Sequence, residues 1–176
     1  MIQLVLTLIG PDRPGLVEAV AEAIAAHGGN WLESRMARLA GMFAGILCVE
    51  APEGSAPALR GALSALESQG MRIMIEGAVS AVSPPGVMEL TAVGQDHPGI
   101  VRDISQALAS RGINIEELVT DRSSAPMAGG TLFTARARLQ VPAGLDAAGL
   151  RSDLERLAHD LMVELTLVEP VVLPRR

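Results

Sequence analysis

Apolar and polar positions change period several times along this chain, and the changes recur in the same order. Ile2 to Ile9 is a continuous apolar run with Leu4, Leu6 and Leu8 on one face and Val5, Thr7 and Ile9 on the other. A strand apolar on both faces is expected in the middle of its sheet. From Pro14 to His27 the period lengthens: Leu16, Val17, Val20 and Ile24 recur at helical spacing while Glu18 and Glu22 lie off that stripe. Gly28-Gly29 then stops the helix, because glycine takes the left-handed C-terminal position without a Cβ penalty. Asn30–Leu39 and Met42–Glu50 read as strands joined by the short connection Ala40-Gly41, hence a hairpin. After the break Pro52-Glu53-Gly54-Ser55, Leu59, Leu63 and Leu66 define a second helix ending near Gly70, and Met71–Ala81 alternates as a fourth strand. The order is βαββαβ.

The second half repeats it. Strand Val87–Val93, helix Pro98–Arg111 (Ile100, Val101, Ile104, Leu108) and strand Asn114–Arg122 follow one another. Phe133, Ala135, Ala137, Leu139 and Val141 then alternate with Thr134, Arg136, Arg138 and Gln140 in the clearest strand of the protein. Leu150, Leu154, Leu157 and Leu161 mark the last helix and Val163–Glu169 the last strand. Identities at one constant offset include Leu6/Leu90, Thr7/Thr91, Ala23/Ala107, Gly28/Gly112 and Asn30/Asn114. Phe43 and Phe133 are spaced more widely than these, so the hairpin spanning Ser123–Gly130 is the longer of the two. This is a duplicated module. We expect modules at 1–82 and 87–170, a short proline-rich linker at 83–86 and a tail at 171–176. Two split crossovers per module predict an α+β chain of two tandem ferredoxin-like units, each a four-stranded antiparallel sheet with two helices on one face. Modules of this size bury only about 60% of their unfolded surface, so packing between the modules or between chains is expected, the latter as a homo-oligomer.

The most conspicuous repeated element joins first strand to first helix: Gly10-Pro11-Asp12-Arg13-Pro14-Gly15 and Gly94-Gln95-Asp96-His97-Pro98-Gly99. A helix N-terminus presents free backbone N–H groups and the positive end of the helix dipole, which suits an anion. Proline in the first turn gives up no needed donor, and Gly15 and Gly99 remove side chains that would block approach. Asp12 and Asp96 are placed to cap the helix or to accept from a ligand ammonium. The turn therefore suits an amino acid, and it equally suits an ordinary helix start.

These residues, with Leu6-Thr7-Leu8-Ile9 before the first turn and Gly28-Gly29-Asn30-Trp31 and Gly112-Ile113-Asn114-Ile115 after the helices, resemble the ACT-domain family over nearly the whole chain. Two such domains without a catalytic or DNA-binding domain are similar to the glycine cleavage system transcriptional repressors. The resemblance implies a non-catalytic regulator that senses a small amino acid such as glycine and acts through a DNA-binding activator protein. It further implies a ligand held at an interface between modules near the turn, which points to Asp12, Arg13, Pro14, Gly15 and Asn30, and to Asp96, His97, Pro98, Gly99 and Asn114. Arg13 and His97 break the symmetry: a guanidinium pairs with a carboxylate bidentately and a neutral imidazole does not.

Composition narrows the alternatives. Every one of the 14 basic residues is arginine, against 20 acids, for a net charge of −6. Each half is acidic, five arginines against eight acids before the linker and nine against twelve after it, so neither offers a basic lobe to phosphates and direct nucleic-acid binding is not expected. With one Trp, two Phe and no Tyr there is little for bases to stack on. The lone Cys48 lies in an apolar run and is expected in the core of a protein from a reducing compartment. The apolar start is too short for a membrane span, and a cytoplasmic protein is expected. No metal-ligand spacing or nucleophile–base grouping is present, so neither metal nor cofactor is expected; His27 is expected to complement a helix C-terminus and His159 to be solvated. Two further readings stand beside the sensor: a structural assembly module with empty turns, and a regulatory piece of an amino-acid or formyl-folate enzyme.

Overall fold

The computed structural model describes residues 1–78, 86–124 and 130–168. The chain divides into two compact units, Met1–Ala81 and Val82–Arg176. In the first, β1 (Ile2–Pro11), α1 (Leu16–Ala26), β2 (Asn30–Leu39), β3 (Met42–Ala51), α2 (Ala56–Ala65, extended by a 3-10 turn over Leu66–Gln69) and β4 (Arg72–Gly77) follow in order. The second contains β5 (Gly86–Gln95), α3 (Ile100–Ala109), β6 (Asn114–Ser124), β7 (Thr131–Val141), α4 (Ala147–Leu161) and β8 (Val163–Val168). The sheets run β2-β3-β1-β4 and β6-β7-β5-β8, antiparallel at every pairing. The continuous apolar run thus becomes a central strand, as its two-sided pattern requires.

Leu4, Leu6 and Leu8 of β1 and Leu47 and Val49 of β3 pack with Leu16, Val20 and Ile24 of α1 and Leu59 and Leu63 of α2. Burying each such side chain contributes about 1.5–3 kcal/mol, which is why both helices cover the same face. The second core repeats this with Leu90, Ala92, Ile104, Leu108, Leu139, Leu150 and Leu154. Among the described residues no polar or charged residue is buried.

The outer faces differ. Register places Val5, Ile9, Ile46 and Met74 there in the first unit, and Glu89, Thr91, Glu117, Arg136 and Arg138 in the second. Cys48 pairs with Val5 and Glu33 on that outer face and is half-buried, so the expectation of a core cysteine is corrected: strand alternation, which an unbroken apolar run conceals, turns it away from the helices.

The β2–β3 hairpin is closed by Ala40 (φ 50°) and Gly41 (φ 80°), the two positive φ values of a type I′ turn. His27 ends α1, its Nδ1 2.8 Å from the Ala23 carbonyl. Of the expected linker, 83–85 lie outside the described residues and Gly86 already opens β5. The tail 171–176 and residues 125–129 of the longer hairpin also lie outside them. Among the described residues no helix is long and apolar enough to cross a membrane.

Candidate functional site

The two turns share one backbone design. Gly15 (φ 88°) and Gly99 (φ 106°) occupy the N-terminal cap positions of α1 and α3 in the left-handed region, and no side chain caps either helix. Their carbonyls accept the first helical bonds, from the amides of Ala19 and Asp103, both at 2.9 Å. The amides of the first helical turn therefore face outward under the helix dipole.

Capping by Asp12 and Asp96 is not what the structure shows. Each aspartate is still in strand register: the Asp12 amide donates to the Gly41 carbonyl at 2.9 Å and the Asp96 amide to that of Thr131 at 2.8 Å. This puts the carboxylates beside the neighbouring hairpin, where Asp12 pairs with Arg38 at 2.7 Å and Asp96 with Arg122 at 2.5 Å. Arg38 and Arg122 are themselves separated by the same offset as the paired turns, a repeat in the sequence that lies outside the turn motif. Both arginines are two-thirds exposed, so each pair is worth at most about 1 kcal/mol. Their main effect is to orient the aspartate.

Arg13 and His97 also have partners within their own units. The Arg13 guanidinium donates to the backbone carbonyl and the side-chain oxygen of Gln69, each at 3.2 Å. His97 places Nε2 2.8 Å from the Leu161 carbonyl and Nδ1 3.2 Å from that of Pro98. Because β1–β4 pairs Ile9 with Arg72 and β5–β8 pairs Val93 with Glu164, Gln69 and Leu161 occupy equivalent positions. Two different side chains thus fasten the turn to the same carbonyl, at the end of the second helix. A backbone acceptor carries no residue identity, so this link is invisible in sequence.

The fastening by His97 is titratable and that by Arg13 is not. An imidazolium donates from both nitrogens, whereas the neutral ring would turn an acceptor lone pair towards one of the two carbonyls. The bond to Leu161, then that to Pro98, and more weakly the charges of Asp96 and Asp103, raise the His97 pKa above its ordinary value. A raised folded-state pKa means that the stabilisation is complete below about pH 6.5 and is lost as pH rises through the folded value. The difference in Tm between wild type and His97→Gln should accordingly be greatest near about pH 5.5 and shrink towards about pH 8.5. A difference that grows with pH would refute this.

Space over the two glycines also differs. A cleft of ≈190 Å³ is lined by Asp12, Arg13, Gly15, Leu16, Val17, Glu18 and Phe43, and the nearest atom to a Cβ built on Gly15 is Glu18 Oε2 at 3.9 Å. Over Gly99 the Arg102 guanidinium comes within 3.2 Å and the Asp103 carboxylate within 3.4 Å. These two form their own pair, Nε–Oδ1 2.6 Å and Nη2–Oδ2 3.1 Å, which lowers the Asp103 pKa and raises that of Arg102.

Neither Asn30 nor Asn114 is brought to the turn of its own unit. Asn30 pairs with Glu50, which pairs with Gln3 at the start of β1, whereas the turn follows Gly10 opposite Phe43. The length of β1 from Gln3 to Gly10 separates them, about 23 Å at the rise of a strand. Asn114 likewise sits opposite Gln140, to whose side chain it donates at 3.4 Å, and Gln140 pairs with Val87. Pro14 and Pro98 stand in the turns immediately before the capping glycines. Among the described residues no cluster of His, Cys, Asp and Glu has metal-binding geometry.

Comparison with known proteins agrees with this architecture. Two family models, each described as an ACT domain, match residues 3–76 and 88–147. The crystal structure of an unknown protein from Galdieria sulphuraria is 34% identical, with 97% of this chain and 99% of that one aligned and a TM-score of 0.81. The crystal structure of a proposed glycine cleavage system transcriptional repressor shares the fold at 20% identity, with 96% and 98% aligned and a TM-score of 0.70. With an ACT-domain model matched in each unit and a 34% identical relative aligned over 97% of the chain, the chain belongs to the ACT-domain family, of which it carries two domains in tandem.

Proposed function

We propose that this protein is a non-catalytic regulator that binds a small amino acid, with glycine the first candidate, at the strand-to-helix turn, and passes its state to a DNA-binding partner protein in the cytoplasm. One observation carries the reading: a duplicated turn in which a left-handed glycine, not a side chain, caps the helix and leaves first-turn amides beside an oriented aspartate. Those amides suit a carboxylate and the aspartate suits an ammonium. The first turn, with its cleft at Gly15, is the better candidate of the two. Likeness in fold to a protein named as a proposed glycine cleavage repressor supports the choice of ligand and the transcriptional role. The net charge of −6 supports contact with a protein in place of direct contact with DNA.

Thermal unfolding in the presence of individual amino acids tests this. At about ten times its Kd the true ligand should add about 1.4 kcal/mol, and Asp12→Ala should abolish the gain. Absence of any gain across the amino acids would overturn the sensing role.

A second reading has an observation of its own. Asp12, Asp96, Arg13 and His97 all find partners within their own units, which is how turns that serve only to assemble the fold would look. It predicts stability that rises with protein concentration and ignores amino acids.

A further inference from the structure

The two cores share one plan but are not filled alike. Leu8 pairs with Gly45 and Leu6 with Leu47, as Ala92 pairs with Ala135 and Leu90 with Ala137, so Ala92 and Ala137 stand where the first unit has Leu8 and Leu47. On the edge strand, Ile115 and Thr120 likewise take the places of Trp31 and Met36. Leu8 and Leu47 are buried, and Trp31 and Met36 pack against the same core. The first unit leaves no room there: the Met36 Cγ lies 2.5 Å from where a Cβ on Gly45 would stand. In the second unit Ile104 for Val20 and Leu118 for Ser34 return part of the volume. Leu118 does so from the rim, being 43% exposed.

What remains is a cavity beneath α3, bounded by Ile104 and Leu108 of the helix, Ala92 and Ala137 of the sheet, and Val101 and Leu118 at the rim. All the residues around it belong to the second unit, so the site is complete within that unit. The centre of a water-sized sphere has ≈20 Å³ in which to move, so the space exceeds a single water molecule. A trapped water needs about two to four polar partners, and Ser105 supplies the one polar side chain around the cavity. Such a space stays dry and takes an apolar guest. No charged side chain borders it, so a carboxylate or an ammonium would lose its hydration there without a partner. Shape follows from the first unit, which fills the same positions with the isobutyl groups of Leu8 and Leu47. Ser105 is half-buried and replaces Ala21, which adds a hydroxyl for an uncharged polar end.

We propose that the second unit binds a small, uncharged, branched aliphatic molecule in this cavity, its branched end between Ala92 and Ala137 under α3 and its polar end at Ser105. The site is separate from both turns and differs from them in chemistry, since nothing in it answers a zwitterion. The first core closes the equivalent space with its own leucines, so the site belongs to the second unit alone.

Methyl-selective NMR of the full chain titrated with isobutanol tests this. The Ile104, Leu108 and Leu118 methyls should shift and saturate with a Kd on the order of 1 mM, while those of Leu6, Leu47 and Val49 in the first core stay still. Isovalerate, of the same shape but charged, should bind about tenfold more weakly or worse. Ala92→Leu restores the first unit's side chain; it should weaken isobutanol binding by about tenfold or more and unfold no earlier than wild type, because filling a void stabilises. Ala137→Leu should do the same from the neighbouring strand. Shifts that grow linearly in both cores, isovalerate binding as tightly as isobutanol, or full affinity kept by both leucine variants would overturn the proposal. So would unfolding of both variants, since the space would then already be occupied. Methyl shifts that follow protein concentration without any alcohol would also overturn it, by placing a side chain of a second copy in the mouth.

Discussion

Gly94→Ala is expected to destabilise the second unit by about 3 kcal/mol, at the upper end of the range for overpacking. Gly94 lies where β5 crosses the end of α4. A Cβ there would stand 2.8 Å from the Met162 carbonyl oxygen, 2.8 Å from the Val163 Cα and 2.6 Å from its Cγ1. Two of these three are backbone atoms on the chain that pairs with Gly94 itself, since Gly94 is in register with Val163, so no rotamer change relieves the contact. At 4–8 °C per kcal/mol for a domain of this size, Tm should fall by roughly 12–24 °C. The repeat supplies a control. A Cβ on the equivalent Gly10 meets the Gly70 oxygen at 3.0 Å and the Met71 Cα at 3.3 Å, a gap that small shifts can open, so Gly10→Ala should cost about 1 kcal/mol. Differential scanning calorimetry of the two variants decides it: equal losses would show that close strand approach is not what the glycine serves.

Gly15→Val is expected to cost about 2 kcal/mol, because a β-branched residue is strained in the left-handed region. Crowding plays no part here, since the nearest atom to a built Cβ is a carboxylate oxygen 3.9 Å away at the tip of Glu18. The cost is conformational and follows from φ, which is 88° at this position. Gly15→Asn, which tolerates that region, should lose under about 1 kcal/mol. On the proposed function, valine also covers the first-turn amides, so amino-acid stabilisation disappears in Gly15→Val beyond what the lost stability explains. If valine and asparagine destabilise equally in chemical denaturation, the left-handed cap is not the origin of the cost.

Most elements are legible in the amino-acid order because each has a single period and a marked end. β2 begins at Asn30 and ends at Leu39 as alternation and the Ala40-Gly41 turn require, and Leu16, Val20 and Ile24 fall on the buried stripe of α1. Ends are less legible where a residue has two admissible conformations. Pro14 reads as helix, yet the helix starts at Leu16 because Gly15 is left-handed. Gly86, read as linker, has enough freedom to continue β5.

The turn residues are the least legible. Asp12 followed by Arg-Pro-Gly has the local form of a helix cap, and within a few residues nothing contradicts that. The competing partner, Arg38, lies beyond a whole helix and is brought in by the β2–β3 hairpin. Repetition linked Asn30 to Asp12 in sequence, but α1 intervenes and places it at the other end of the sheet.

By itself, then, the amino-acid order of this protein determined the duplicated βαββαβ plan, the buried leucine stripes and the position of the paired turns. These follow from local periodicity and from glycine and proline, whose effects are felt within a few bonds. Tertiary structure alone decided that Asp12 and Asp96 answer Arg38 and Arg122, that Arg13 and His97 reach one equivalent carbonyl, and that Cys48 faces outward. Each depends on strand register and on which distant backbone atom arrives beside a side chain, and neither is written in the spacing of residues along the chain.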